Sequence, residues 1–277
     1  MEPLGEVAAQ LLDRVRGLRP LVHHITNVVS ASDVANATLA TGALPVMAHA
    51  TEEVEEVAAT ASALALNLGT LTPRRVEAML LAGRRAGERR VPVVLDPVGV
   101  GLSKLRADAA RRLLRELPVT AVRGNLAEMA HLAGGEGFLR GVESVGAASP
   151  PEEVAREVAR RHHVVAAVTG PRDWVTDGVR FVAVDNGHPW LRRVAGAGCM
   201  ASGVVACFLA VADDPLTATA AALAYFGYAA ERAAEQASGP ASFRVALLDQ
   251  LARLEPQDLR AGVRAGLVEL PAAPHGG

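Results

Sequence analysis

The chain has 277 residues, half of them hydrophobic and 21% charged, with a formal net charge of −2. That is ample apolar material for a core, and without a basic surplus nucleic acid and anionic membrane are poor partners. The two cysteines, Cys199 and Cys207, lie eight apart on one predicted helix, beyond disulfide reach. With no CxxC pair, a reducing, cytoplasmic setting is expected.

Apolar residues from Leu4 to Leu18 recur at helical spacing and predict a helix over 3–19 that Pro20 ends. Its acids and its lack of an apolar centre are unlike a signal peptide. Leu21–Ile25 reads as a strand, Ser30–Ala40 as a helix stopped at Gly42, and Ala43–Met47 as a second strand. Thr51 opens a helix with an acidic first turn. Ser62–Gly69 is a third strand, and Thr72-Pro73 starts a helix with proline where no N–H is needed. Val91–Asp96 is the clearest buried strand, an apolar run that ends in a carboxylate.

A helix near Lys104–Glu116 follows, then a strand at Val119–Val122. Arg123-Gly124-Asn125-Leu126-Ala127-Glu128 reads as the opening of another helix. Gly134–Ser149 is loop-like, Pro151–Arg161 a helix, Val164–Thr169 a strand. Trp174–Thr176 and Arg180–Val184 form a hairpin about Asp177-Gly178. A turn at Gly196–Gly198 runs into a helix over Cys199–Ala212. Helices near Leu216–Ala237 and Ser242–Leu254 finish the fold, and 272–277 is expected to be a mobile tail. The apolar run from Leu216 to Ala230 falls short of the ~18 residues a membrane span needs, so it reads as a buried helix.

Strands alternating with helices, with no linker or repeat, predict one α/β domain over 1–277: a mainly parallel sheet with helices on both faces. Ligands of such sheets bind beyond the carboxyl ends of the strands. Asn27, Met47, Asn67–Gly69, Asp96, Arg123, Thr169 and the Gly196–Cys199 turn should therefore converge on one edge.

The turn carries the sharpest chemical signal. The first N–H groups of a helix lack intrahelical partners and add partial positive charge, so Gly196, Ala197 and Gly198 suit an anion. Glycine lets that backbone approach a ligand closely. Cys199 would stand at the mouth of the site, where a thiol is expected to ionise more readily than when free; a buried, inert cysteine is the plainer alternative. Asp96 and the pair Asn125-x-x-Glu128 add two carboxylates and an amide beside this phosphate site, a set suited to magnesium. Arg123 offers a fork of donors to phosphate. Taken singly, Asp96 could be a turn residue and Glu128 a solvated helix-start acid; together with the glycine turn they favour function. No Walker A pattern is present, and Gly99-x-Gly101 lacks the third glycine of a dinucleotide fingerprint, against a NAD-dependent oxidoreductase. His23 and His24 are adjacent on a strand and point to opposite faces, which favours packing over metal binding. A Cys–His catalytic pair would need a histidine that the sequence alone does not place beside Cys199.

These residues carry a resemblance. His24-Ile25-Thr26-Asn27-Val28-Val29 is followed by Ala35-Asn36-Ala37-Thr38-Leu39-Ala40-x-Gly42-Ala43-x-Pro45-x-Met47-Ala48. Asn67-Leu68-Gly69-Thr70, Val94-Leu95-Asp96-Pro97-Val98-Gly99, Arg123-Gly124-Asn125-x-x-Glu128 and Gly196-x-Gly198-Cys199 come next. Over nearly its whole length the chain resembles the hydroxyethylthiazole kinase family of the ribokinase-like superfamily. The resemblance implies a ribokinase-like three-layer sandwich, and magnesium- and ATP-dependent phosphorylation of the primary hydroxyl of 4-methyl-5-(2-hydroxyethyl)thiazole for thiamin salvage. It also implies a homotrimer with sites at subunit boundaries. Residue by residue, Arg123, Thr169, Asn125, Ala197 and Gly198 would bind ATP, and Met47 and Gly196 would contact the thiazole with Asn27 and Gly69 nearby. Asp96 and Glu128 would hold magnesium or its waters, and Cys199 would lie against the acceptor hydroxyl, orienting it and taking its proton late. Relatives more often carry Asp at that position, so an Asp replacement could raise turnover. Ala195 stands where the superfamily often has Thr, a modest loss. The rivals are a hydroxymethylpyrimidine or other small-alcohol kinase, against which the Asn27 and Met47 block argues, and a catalytically silent nucleotide or vitamin sensor.

Overall fold

The computed structural model describes residues 2–134 and 149–269. Among these, six strands run parallel: β1 (Leu21–Ile25), β2 (Leu44–Val46), β3 (Ala63–Asn67), β4 (Val93–Asp96), β5 (Ala121–Asn125) and β6 (Val165–Thr169). Three more, β7 (Asp173–Thr176), β8 (Phe181–Val184) and β9 (Ala265–Leu267), add on antiparallel. The sheet order is β2-β1-β3-β4-β5-β6-β7-β8-β9.

Each central strand is buried on both faces, so its apolar residues divide by alternation. Leu64, Leu66, Val93 and Leu95 face a core shared with helices α3 (Val54–Thr60), α4 (Pro73–Glu88), α5 (Lys104–Glu116), α6 (126–134) and α7 (Pro151–His162). Ala63, Ala65, Val94, Ala121 and Ala167 face the opposite core. That core is built by α1 (Leu4–Leu18), α2 (Ala31–Thr41), α8 (Ala197–Leu209), α9 (Pro215–Ala234), α10 (Pro240–Arg253) and α11 (Pro256–Gly262). The small alanine side chains under α8 let that helix lie close to the sheet. No helix among the described residues is long and apolar enough to cross a membrane.

The expected architecture is present, with three local corrections. The strand predicted to stop at Val122 continues to Asn125, because Arg123, Gly124 and Asn125 pair with Ala167, Val168 and Thr169 of β6; the helix opens only after them. The central helix starts at Ala197, two residues earlier than expected. Gly196, at φ 84°, is its left-handed entry residue, which leaves Ala197 and Gly198 in the first helical turn. Two further elements follow the helix predicted to end the fold: α11 packs on α1, and β9 completes the sheet against β8. The histidine pair packs as expected: His23 Nε2 donates to the Ala48 carbonyl at 2.9 Å, and His24 Nε2 meets Thr38 Oγ1 at 3.1 Å. The predicted loop lies outside the described residues apart from its ends, Gly134 and Ser149, and the predicted tail over 272–277 lies wholly outside them.

Phe208 of α8 and Tyr225 of α9 show how the larger core is tied together. Both are fully buried, with ring centroids 5.6 Å apart, and the Tyr225 hydroxyl donates to the Leu251 carbonyl of α10. Phe208→Ala should lower unfolding free energy by about 3–5 kcal/mol, read as a shifted midpoint in urea at unchanged slope.

Candidate active site

The carboxyl ends of β1, β3, β4, β5 and β6 and the first turn of α8 meet at one edge of the sheet. The centre of this edge is a buried polar cluster. Asp96 ends β4 with only 2% of its surface exposed. Its Oδ2 accepts from Asn67 Nδ2 at 2.9 Å and from Ser202 Oγ at 2.8 Å. Asn67, in register beside it at the end of β3, also donates to Cys199 Sγ at 3.3 Å. The Asn67 Oδ1 accepts from Asn27 Nδ2 at 3.0 Å and from the Gly69 N–H at 2.9 Å. Asn27 gives a second donor contact to Cys199 Sγ at 3.2 Å, and its own Oδ1 accepts from the Ser30 N–H and hydroxyl, each at 3.0 Å.

Two glycines make this arrangement possible. A Cβ at Gly69 would stand 2.7 Å from Asn27 Cβ, and one at Gly196 would stand 2.6 Å from Ser30 Cβ. Gly196 is also left-handed, a conformation that disfavours side chains.

Burial, with the charge of Arg123 and the donors Ser202 and Asn67 pulling the other way, pushes the Asp96 carboxyl up to about 6. The Cys199 thiol is pushed above its ordinary value, first by burial and then by Asp96, against donors from Ser30, Asn27 and Asn67. This overturns the expectation that the helix start would make Cys199 ionise easily. The helix contributes only partial charge at its end, while desolvation and a neighbouring carboxylate both favour the neutral thiol.

Beside the start of α8 lies a cleft of about 850 Å³ whose wall includes Arg123, Asn125, Thr169, Ala197 and Gly198. The Arg123 guanidinium lies over the α8 start: a Cβ on Gly198 would come within 2.7 Å of its Nη1. Arg123 Nε is buried without a protein partner. The Ala197 N–H is spent on the Val194 carbonyl at 3.2 Å, so the guanidinium and the positive end of α8 at Gly198 are what face the place an anion would take. Thr169 Oγ1 donates to the Gly124 carbonyl at 3.2 Å, closing the ends of β5 and β6.

Asn125 and Glu128 form a reciprocal cap on α6. Asn125 Oδ1 accepts from the Glu128 N–H, and Glu128 Oε2 accepts from the Asn125 N–H, both at 3.0 Å. Glu128 Oε1 accepts from the Gly99 N–H at 2.9 Å. Thus Glu128 braces the loop after β4 as well as its own helix. Among the described residues no group of three or more His, Cys, Asp or Glu could hold a metal, so a cation here would rest on Asp96, Glu128 and ligand oxygens. Met47 is half-buried just beyond β2, the strand beside β1 at the sheet edge. Ser30 and Ser202 complete the cluster without a role foreseen from sequence. The signal for Ser202 was its place one turn after Cys199; Ser30 had only its position three residues after Asn27.

The model of the hydroxyethylthiazole kinase family matches residues 12–257. A hydroxyethylthiazole kinase of Chloroflexus aggregans (strain MD-66 / DSM 9485) is 55% identical over 256 residues, 92% of each chain. One from Methanocella arvoryzae is 51% identical, over 92% of this chain and 96% of that one. The solved hydroxyethylthiazole kinase structure from Pyrococcus horikoshii OT3 superposes with a TM-score of 0.87 at 42% identity, covering 95% of this chain and 99% of that one. A ribokinase-like superfamily protein from Enterococcus faecalis V583 shares the fold, with a TM-score of 0.60 at 12% identity over 90% of this chain and 95% of that one. With the family model over residues 12–257 and these relatives along nearly all of its length, the chain belongs to the hydroxyethylthiazole kinase family.

Proposed function

We propose that this chain, as a single catalytic domain, transfers the terminal phosphoryl group of ATP to the primary hydroxyl of 4-methyl-5-(2-hydroxyethyl)thiazole, in thiamin salvage. The observation that carries the reading is the position of Cys199. It follows directly on Ala197 and Gly198 of the cleft wall and is held by the buried amides of Asn27 and Asn67, where donor phosphate and acceptor alcohol would meet. The cleft has the volume of a nucleotide-sized pocket. Arg123 and the start of α8 at Ala197 and Gly198 suit the phosphates, with Asn125 and Thr169 along the same wall. Asn27, Gly69 and Gly196 shape the acceptor side, and Met47 adds an apolar contact from the sheet edge.

The residues present fit magnesium. Asp96 keeps a carboxylate oxygen, Oδ1, that no protein donor occupies. Glu128, whose two oxygens already accept backbone N–H groups, suits the waters that magnesium retains. When bound, the ion supplies charge neutralisation between the phosphates. Phosphoryl transfer has a loose transition state in most analyses, so little proton removal is needed early. A neutral Cys199 thiol, held by Asn27 and Asn67, then orients the hydroxyl instead of deprotonating it. The hydroxyl proton can leave late on the phosphate, whose second ionisation lies near pH 6.

Three copies with sites at their boundaries complete the reading. Val28 and Val29, 68% and 69% exposed directly beside Asn27, support a neighbouring copy covering the acceptor side. The free thiols of Cys199 and Cys207 support a cytoplasmic setting.

Purified protein with ATP and magnesium should release ADP when hydroxyethylthiazole is added; release only with hydroxymethylpyrimidine would overturn the substrate assignment. Cys199→Ala should lower turnover by more than twofold, on the order of tenfold, with the KM for ATP little changed.

A pH prediction follows from Asp96. Its folded carboxyl titrates near 6 against an ordinary 3.8, so the fold favours the protonated form. The stability this gives is full below about pH 4 and is lost as pH rises through about 6. In metal-free buffer Asp96→Asn should therefore be more stable than the parent at pH 7, by about 2–3 kcal/mol, and the two should converge at pH 4 in urea unfolding. Activity should meanwhile fall on the order of 100-fold.

A further inference from the structure

Between β1, β3 and β4 on one side and helices α2 and α8 on the other lies a second cavity, of about 10 Å³. Its wall includes His24, Thr26, Asn67, Asp96, Cys199 and Ser202. That volume takes one water molecule. Two of these residues, both all but fully buried, each present a polar atom with no protein partner: His24 Nδ1 and Asp96 Oδ1.

Both atoms are acceptors. Thr38 Oγ1 donates its single hydrogen to the Val34 carbonyl at 2.9 Å, so at 3.1 Å from His24 Nε2 it can only accept. Nε2 therefore carries the ring hydrogen, and a neutral ring leaves Nδ1 bare. Burial and the neighbouring His23 keep the ring neutral, with its titration pushed down to about 3. On the other side of the cavity, the protein donors to Asp96, Asn67 and Ser202, are both spent on Oδ2. A buried acceptor without a donor costs about 1–3 kcal/mol, and here two belong to residues that line one water-sized space with further polar groups.

We propose that one water fills this cavity and donates to both His24 Nδ1 and Asp96 Oδ1, which makes His24 a positioning residue for the Asp96 carboxylate. Each carboxylate oxygen has two lone-pair directions, so the water leaves Oδ1 a second one, toward the reacting groups. The inference rests on the function proposed above only in treating Asp96 as the carboxylate beside magnesium and phosphate.

Histidine-¹⁵N-labelled protein tests the geometry without turnover. Long-range proton–nitrogen spectra should show one ring, lost in His24→Gln, as the Nε2–H tautomer, neutral from pH 5 to 8. A high-resolution crystal structure should show a solvent peak within hydrogen-bond distance of both atoms. Kinetics test the positioning. In His24→Gln the amide can reach Thr38 but leaves nothing at the Nδ1 position, whereas in His24→Asn it lies near that position. The Gln variant should need about tenfold more magnesium for half-maximal rate, with the KM for the thiazole unchanged. The Asn variant should recover most of that loss. An Nδ1–H tautomer, a cavity with no solvent peak, or equal magnesium dependence in the two variants would overturn the proposal. If the variants do not fold, the parent's spectra and crystal structure decide it. Absence of thiazole phosphorylation alongside the expected spectra would sink the substrate assignment and leave the water site standing.

Discussion

A carboxylate buried at the end of a strand is the constraint from which the rest of this site follows. Asp96 cannot remain there without donors, because the cost of stripping water from a charge is repaid only by hydrogen bonds. Asn67 and Ser202 provide them. Asn67 must then be held in one orientation, which its Oδ1 achieves by accepting from Asn27 and the Gly69 N–H. Asn27 is fixed in turn by Ser30. Every polar atom of the two asparagine side chains is engaged, which fixes both amides in one arrangement. The glycines at 69 and 196 belong to the same constraint: each removes a Cβ that would collide with a member of the chain.

The asymmetry of the sheet brings the helix to this network. Its two faces differ in side-chain size, with leucines toward α4 and α5 and mostly alanines toward α8. Small residues let α8 settle close enough for Ser202, in its second turn, to reach the strand-end carboxylate. The same approach sets the helix start beside Arg123, and Gly198 makes room for the guanidinium. One helix therefore does two jobs: its first turn lines the cleft, while Ser202 on its inner surface anchors the carboxylate.

Much of this could be read from the chain itself, and the exceptions share a cause. Strand–helix alternation, proline at helix starts, and the apolar run ending in Asp96 are local signals, and they placed the strand ends on one edge. Arg123-Gly124-Asn125 was mistaken for a helix opening because polar residues beside glycine look like a cap. Only pairing with β6 shows that they extend a strand, and Asn125 does go on to cap the next helix. The ionisation of Cys199 was misjudged for a related reason: the helix start is visible in sequence, whereas burial and the approach of Asp96 are not. Ser30 and Ser202 went unnoticed because a serine acquires a role only from the groups that surround it. The short α11 and β9 carry too little periodicity to stand out, and they form because α1 and β8 offer them a surface.

The presence of cysteine at the junction of cleft and cluster is intelligible on the same physical grounds. Asn27 and Asn67 aim two amide donors at position 199, and those donors would satisfy a carboxylate as well as a sulfur. A carboxylate there, however, would share a buried space with Asp96, and two like charges in one site raise the cost of ionising either. A thiol accepts the same donors without adding charge. It leaves Asp96 as the one buried anion in the polar cluster and presents a polarisable, neutral edge to an alcohol. Attack by that alcohol needs alignment more than deprotonation when the transition state is loose. Cysteine thus trades a stronger acceptor for a lower electrostatic load on the buried carboxylate that organises the site.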